Sequence, residues 1–230
     1  MPPAPNFTHH HRAAQVAEDQ LRCQTRDMAA PSTIPSSTDV RPPRDRMVRA
    51  AAKLFRVHGV TATGLREIVE AADAPRGSLQ HYFPGGKEQL ITEALQYAGD
   101  RAGRHVERLL AGLEQPTPGT LFAAMAGEWR DLYLRAGFAE GCPLAAAATD
   151  TVAESPGVRA ALSDALWRWQ RPLEAALGQL GVAVARRSSL AVLMMSALEG
   201  ALILARSRED TSIIDTVIAE LRPVLDAAGN

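Results

Sequence analysis

From Pro43 onward, apolar residues recur every three or four positions, the spacing that places side chains on one side of a helix. The first such stripe consists of Met47, Val48, Ala51, Leu54, Phe55 and His58. A proline is tolerated in the first turn of a helix, and Gly59 suits the residue that follows the last turn. The pattern predicts a helix that starts at Pro43 and ends just before Gly59.

The next apolar stretch is interrupted by a turn. Thr63 suits the cap of a second helix, and Asp73 with Ala74 supplies the residues of a tight turn. Pro75 is expected to start a third helix that reaches Tyr82. Two short helices joined in this way predict a helix-turn-helix, in which the first helix braces the second across the major groove of DNA.

The remainder of the chain has the helical period throughout. A long fourth helix is predicted from Lys87, followed by five segments at about 120–136, 143–153, 156–180, 182–207 and 212–227. No segment alternates with period two. The sequence therefore predicts an all-α fold, with a three-helix helix-turn-helix domain at 43–90 and a helical ligand-binding and dimerisation domain at 91–230.

Residues 1–42 differ from the rest in composition. They are rich in Pro, Ser and Thr and sparse in apolar residues, which predicts a disordered N-terminal extension. His9, His10 and His11 have no further ligand nearby, so no metal site is expected. Translation from Met28 is an alternative, which would remove most of this extension.

Charge is unevenly distributed along the 230 residues. Positions 41–90 contain nine Lys or Arg and five Asp or Glu, a local balance of +4 in a chain whose net charge is −1. This is typical of a basic DNA-facing module on an acidic body, because attraction to phosphate is local. Two cysteines exclude a disulfide framework, and no apolar run approaches the ~18 residues of a membrane span. We expect a cytoplasmic protein with no membrane partner, no cofactor and no catalytic constellation.

At this point the sequence resembles a known family. Positions 44–95, and above all Arg76-Gly-Ser-Leu and Tyr82-Phe83, resemble the N-terminal domain of TetR-family bacterial transcriptional repressors. Positions 83–90 and Gly141-Cys-Pro-Leu-Ala resemble a subset that includes lincomycin- and flavonoid-responsive repressors. The resemblance implies a homodimer that binds a double-stranded DNA operator and releases it when a small molecule binds. Pro75, where the family commonly has Ser, and Gln80, where it often has Tyr, depart from the pattern.

Residues near the start of a recognition helix point into the DNA groove. Arg76 suits the O6/N7 edge of guanine and Gln80 the N6/N7 edge of adenine, and their spacing places them on one helical face. The alternative is a solvated helix surface. The predicted DNA-contacting residues are Arg44, Thr63, Arg66, Arg76, Gly77, Ser78, Gln80, His81, Tyr82 and Lys87.

An effector site needs an apolar cavity with a few polar groups. The predicted lining residues are Trp129, Tyr133, Phe138, Cys142, Trp167, Met194, Met195 and Glu199. Glu199 is the most informative, because a carboxylate within an apolar stretch needs a partner; an arginine or a position at a dimer seam would also explain it. Cys142 is either a packing residue or a redox sensor.

Dimerisation is expected on the last two helices. Their apolar positions, from Leu190 to Leu204, form a face too broad for one small body to bury, and Gly200 with Ala201 permits close contact. Two recognition helices one DNA turn apart would select a palindromic operator. The sequence thus predicts a dimeric repressor released by an apolar or aromatic ligand. The alternatives are an activator or nucleoid-type binder, and a helical small-molecule binding protein or enzyme without operator specificity.

Overall fold

The computed structural model describes residues 41–75, 77–150 and 155–229. The expectations for residues 1–40, including the histidine cluster, and for Arg76 lie outside this part of the chain. The regular secondary structure of the described residues is entirely α-helical, which confirms the all-α prediction. In chain order these are α1 Pro43–His58, α2 Leu65–Ala71, α3 Ser78–Tyr82, α4 Gly86–Gly112, α5 Pro118–Ala136, α6 Pro143–Asp150, α7 Pro156–Gln179, α8 Val184–Arg208 and α9 Ser212–Asp226.

Helices α1 to α3 form the head of the molecule around a small apolar core. Phe55 of α1, Ile68 of α2 and Phe83 after α3 are all buried at its centre. As predicted, α1 ends at Gly59, whose φ of 80° is accessible to glycine and whose N–H donates to the Phe55 carbonyl. The apolar stripe predicted for the first helix therefore contributes to the core of the head.

The turn between α2 and α3 closes with a hydrogen-bond pattern that is common at helix C-termini. The amide of Asp73 donates to the Glu70 carbonyl at 3.0 Å and that of Ala74 to the Val69 carbonyl at 3.1 Å. Asp73 lies in the left-handed region with φ 48°, where glycine is the usual residue. Most residues with a Cβ pay roughly 1–2 kcal/mol for this conformation, and aspartate is one of the few that adopt it more readily. The predicted turn at Asp73 is confirmed.

Two details of the sequence prediction for the head are wrong. Thr63 does not cap α2: Gly64 precedes that helix, and the Thr63 hydroxyl donates to the Gly59 carbonyl at 2.6 Å. Helix α3 begins at Ser78, one turn later than Pro75. The Pro75 carbonyl accepts from both the amide and the hydroxyl of Ser78, which places a turn where the sequence predicts helix.

We call the part of the chain from α5 to α9 the body. Helix α4 runs from the head into the body and packs closely along α7. A side chain at Gly99 would meet the backbone of Ala165, and one at Gly103 would meet the Arg168 carbonyl and Pro172. The two glycines therefore allow the helix axes to approach more closely than larger residues would permit. Around this pair, α9 packs against α5 and α8.

Helix α8 contains an 18-residue window of mean hydropathy 1.8, long and apolar enough to cross a membrane by length and composition. This contradicts the expectation that no apolar stretch approaches that length. The inner face of α8 accounts for much of the apolarity, because Leu190, Met194, Leu198 and Ala205 are buried in the protein core. A helix that packs into a core and also presents an apolar outer face has this composition without a membrane.

Candidate DNA-binding surface and effector site

Helix α3 presents polar side chains on the surface of the head. Gln80, His81 and Gly77 are exposed, and Ser78 and Tyr82 are half-buried. Within α3 no residue is fully buried. Leu79 and Tyr82 pack partly buried against the core, and the buried Phe83 follows the helix. The predicted recognition residues that the structure describes therefore lie on one short, accessible helix and at the residue just before it.

The side chains of the remaining predicted DNA contacts differ in their exposure and in their partners within the protein. Arg66 is exposed on α2. Arg44 donates to Glu93 at 2.7 Å and stacks over the Phe83 ring at 5.5 Å, and Lys87 donates to the Thr61 carbonyl at 3.2 Å. Thr63 is 0% exposed, so its side chain has no surface to offer a phosphate and that prediction is wrong.

One residue of the head was missed by the sequence reasoning. The guanidinium of Arg46 donates from Nε to the Ala72 carbonyl at 2.8 Å, from Nη2 to the Asp73 carbonyl at 2.7 Å and from Nη1 to the Arg41 carbonyl at 2.9 Å. The sequence separation between α1 and the α2–α3 turn hides this contact, and an arginine on the polar side of α1 resembles any solvated residue.

The body contains a cluster of buried polar groups. Among the described residues, the buried side-chain atoms without a hydrogen-bond partner are Nε of Arg56, the hydroxyl of Tyr133 and Oε2 of Glu199. The electrostatic neighbours of Tyr133 include Arg206, Glu199, Arg56 and Cys142, and we call these five residues the polar cluster. A buried polar group left unpaired costs roughly 1–3 kcal/mol. Three such groups in one neighbourhood are more than ordinary core packing leaves without a partner.

Burial changes the acidity of the cluster. It raises the pKa of Glu199, a change that the hydrogen bond from Cys142 opposes. Burial and the nearby Glu199 carboxyl raise the pKa of the Cys142 thiol well above its usual value. Because the thiolate is the form that reacts with oxidants, the protonated thiol favours the packing role of Cys142 over the redox alternative.

Three aromatic rings line one side of the cluster. The ring centroids of Trp129 and Tyr133 lie 6.1 Å apart and those of Tyr133 and Phe138 lie 4.9 Å apart, and Arg56 stacks on Trp129 at 5.1 Å. The structure thus brings together five of the predicted ligand residues, namely Trp129, Tyr133, Phe138, Cys142 and Glu199.

A groove of about 320 Å³ between α7 and α8 is lined by one member of the cluster, Glu199, together with residues that include Met195 and Trp169. Met194 is buried beside it in the core. The prediction of Trp167 is wrong: it is 47% exposed beneath Arg171, whereas Trp169 is 5% exposed. The two positions are about 200° apart around a helix, and sequence alone did not decide which faced inward.

The loop between α5 and α6 connects the cluster to the head. The Gly141 amide donates to the carbonyl of Arg56 at 2.7 Å, and Arg56 pairs with Glu140 at 2.9 Å. Arg206 of α8 donates to the carbonyls of Phe138 at 3.0 Å and Ala139 at 2.9 Å. Residues 138–141 therefore touch α1 of the head and α8 of the body at once.

Helix α6 makes a second connection to the head. It begins directly after Cys142, and at its other end the Asp150 carboxylate accepts from the amides of Val60 at 2.9 Å and Thr61 at 3.4 Å. Both ends of this helix are thus bound to the helix-turn-helix domain, the first through Gly141 and the second through Asp150.

An exposed helix-turn-helix on a helical body defines a DNA-binding transcriptional regulator. The comparisons with known proteins agree. Residues 47–94 match the family model for bacterial regulatory proteins of the tetR family, and residues 118–220 match that for the C-terminal domain of LmrA/YxaF-like transcriptional regulators. The chain belongs to the TetR family of bacterial transcriptional regulators, as the sequence resemblance implied.

Individual relatives support this assignment. The chain is 37% identical to the HTH-type transcriptional regulator Rv0196 of Mycobacterium tuberculosis over 191 residues, 80% of this chain and 94% of the relative. It is 28% identical to the HTH-type transcriptional regulator LmrA of Bacillus subtilis over 74% of this chain and 89% of the relative. The crystal structure of a TetR regulator from Legionella pneumophila shares the fold with a TM-score of 0.68 at 18% identity, covering 81% of this chain and 99% of that chain.

Proposed function

We propose that this protein is a cytoplasmic, non-enzymatic repressor that binds a palindromic DNA operator as a homodimer and releases it when a small aromatic or apolar ligand binds the body. The observation that carries the proposal is the polar cluster, whose unpaired groups lie beside a loop that is hydrogen-bonded to the head. An activator with the same fold would bind DNA in the same manner, and transcription from a fused promoter with and without the protein separates the two.

On the DNA side, α3 is the reading element. Gln80 and His81 contact base edges together with Arg76, while Gly77, Ser78 and Tyr82 approach the phosphates. The other phosphate contacts are Arg44, Arg66 and Lys87. For Arg44 and Lys87, contact with DNA requires exchanging their intramolecular partners for a phosphate oxygen, which is a stronger acceptor.

The dimer forms on the outer face of α8. Val192, Leu193, Ile203 and Leu204 on this face are 39–56% exposed. The only charged residue of α8 between positions 188 and 205 is Glu199, which belongs to the polar cluster. A side chain built at Gly200 would meet nothing within 4 Å, which leaves room for a second helix to approach. A two-fold axis along this face pairs like with like, as closed homodimers require.

The effector site consists of the polar cluster, the aromatic rings beside it and the groove at Glu199. A ligand with an aromatic ring stacks against Trp129, Tyr133 and Phe138, and its polar groups pair with the Tyr133 hydroxyl, Arg56 Nε and the Glu199 carboxyl. Binding displaces residues 138–141 and α6, moves the head about α4 and alters the separation of the two recognition helices. Release of DNA requires that the ligand bind this conformation more tightly than the operator-bound one.

The test is binding to the DNA upstream of the gene and to sequences selected from random DNA, at several salt concentrations. We expect a palindromic consensus, a steep salt dependence and a loss of roughly 1–3 kcal/mol in Arg76→Ala or Gln80→Ala. Arg186→Ala, an exposed position on α8, is the matched control and should bind as wild type. Equal binding to every sequence, indifferent to both head variants, would contradict operator recognition and favour the alternative of a small-molecule binding protein.

A further inference from the structure

The carbonyl groups at the end of α2 are held by a single side chain. Arg46, in the first turn of α1, uses Nε for the Ala72 carbonyl and Nη2 for the Asp73 carbonyl, at 2.8 and 2.7 Å. Carbonyls at a helix C-terminus lack intrahelical donors and carry the negative end of the helix dipole. A guanidinium is suited to this position, because it is cationic and offers several N–H groups in a fixed plane.

The turn that Arg46 holds has aspartate at a position where glycine is favoured more strongly. Asp73 occupies the left-handed position with φ 48°, where most helices place glycine. An outside donor that binds its carbonyl and the preceding one favours this conformation over extended alternatives. The hydrogen bonds from Arg46 therefore help to hold the turn in this conformation. A glycine at position 73 would adopt the same conformation without them.

The orientation of α3 depends on this turn. Helix α3 is five residues long and has no fully buried side chain. Leu79 and Tyr82 are partly buried against the core, so these two contacts and the preceding turn together fix its direction. The third nitrogen of Arg46 donates to the Arg41 carbonyl at 2.9 Å, just before α1. One guanidinium thus ties the chain that enters the head to the turn that precedes the recognition helix.

We propose that Arg46 is a positioning residue for DNA recognition, which sets the direction of α3 through the Ala72 and Asp73 carbonyls and does not itself neutralise a phosphate. The proposal rests on the operator binding proposed above. Lysine at this position keeps the positive charge but has one nitrogen, which cannot reach three carbonyls in different directions. If Arg46 only contacted a phosphate, lysine could replace it. If its several N–H groups hold the turn, lysine cannot.

The experiment measures operator affinity and its salt slope for wild type, Arg46→Lys and Arg49→Lys. Arg49 is the matched control: it lies on the same helix, is exposed, and donates to the Tyr97 hydroxyl. We expect Arg46→Lys to lose about tenfold in affinity, equivalent to ~1.4 kcal/mol, with an unchanged salt slope, and Arg49→Lys to bind as wild type. Wild-type affinity in Arg46→Lys, or an equal loss in both variants, would overturn the proposal.

Two further measurements separate positioning from general destabilisation. Adding Asp73→Gly to Arg46→Lys should recover most of the affinity, because glycine adopts the left-handed turn without support. Hydrogen exchange in the DNA-free protein should show faster exchange of the Asp73 and Ala74 amides in Arg46→Lys. Absence of rescue or of faster exchange would overturn the role of Arg46. Failure of the wild-type protein to select any operator would instead contradict the proposed function, and the exchange measurement would still decide whether Arg46 holds the turn.

Discussion

Replacing Asp150 by alanine removes the carboxylate that joins α6 to the loop after α1. Asp150 Oδ2 accepts from the amide of Val60 at 2.9 Å and from that of Thr61 at 3.4 Å. Val60 is buried and its hydrogen bond with Asp150 is partly buried, so its N–H would lose its protein partner. A hydrogen bond to a charged group contributes about 1.5–3 kcal/mol, and the longer Thr61 contact adds little. We expect Asp150→Ala to lower the free energy of unfolding by roughly 2–3 kcal/mol.

Urea denaturation measures this effect. With a slope of about 2 kcal/mol per molar urea, the midpoint should fall by roughly 1 M. Asp150→Asn keeps an oxygen acceptor and should lose only about half as much, roughly 1 kcal/mol. Asp164→Ala is the matched control: its main partner is Arg168 in the same helix at 2.8 Å, and such surface pairs contribute about 0.3–0.5 kcal/mol.

The same variant tests whether α6 carries the effector signal. Asp150→Ala should still bind ligand and operator, but saturating ligand should weaken operator affinity less than in wild type. Coupling free energies between sites are typically about 1–3 kcal/mol, so the ligand-induced change should shrink by a measurable factor. A loss of stability no greater than that of Asp164→Ala, together with unaltered ligand-induced release, would refute the reasoning.

Three other predictions concern stability. Gly99→Ala forces a methyl group onto the Ala165 backbone and should cost about 2 kcal/mol by thermal or urea unfolding, whereas Gly112→Ala, in open space on the same helix, should be neutral or stabilising. Burial lowers the pKa of His105 below its ordinary 6.5, so protonation of this imidazole favours the unfolded state. The free energy of unfolding should therefore fall as pH drops through 6.5 in wild type, and less steeply in His105→Gln. Burial raises the pKa of Glu199, so ionisation of its carboxyl favours the unfolded state. We expect Glu199→Gln to have the same free energy of unfolding as wild type at low pH and a higher one at alkaline pH. Identical unfolding curves of the two proteins at both pH values would contradict this.

The elements with a long periodic stripe could be predicted closely from sequence. The start of α1 at Pro43 and its end at Gly59, and the starts of α6, α7 and α9, agree with the structure. In these cases the information is local, because capping residues and a repeated apolar face specify a helix wherever it packs. The start of the short helix α3 was harder to predict, because the turn at Pro75 is determined by its hydrogen bonds with Ser78 and not by the spacing of apolar residues.

Side-chain partnerships were the part that sequence could not supply. Trp167 is predicted from the sequence as a lining residue, but in the structure Trp167 is exposed and Trp169, two positions along the helix, is buried. The pairing of Asp150 with Val60 spans 90 positions, and that of Arg46 with Asp73 spans 27. No local rule encodes contacts of this length, because they depend on how whole helices are oriented.

The sequence by itself determined the helical class, the helix-turn-helix and the family, because period, turn residues and the motif around Tyr82-Phe83 are written in consecutive positions. It also singled out Glu199, because a carboxyl in an apolar stretch stands out against its neighbours. Only the tertiary structure decided that this carboxyl meets Cys142, Tyr133 and Arg56 in one polar cluster. Burial and hydrogen bonding are properties of groups that are distant along the chain, and they exist only once the helices are packed together.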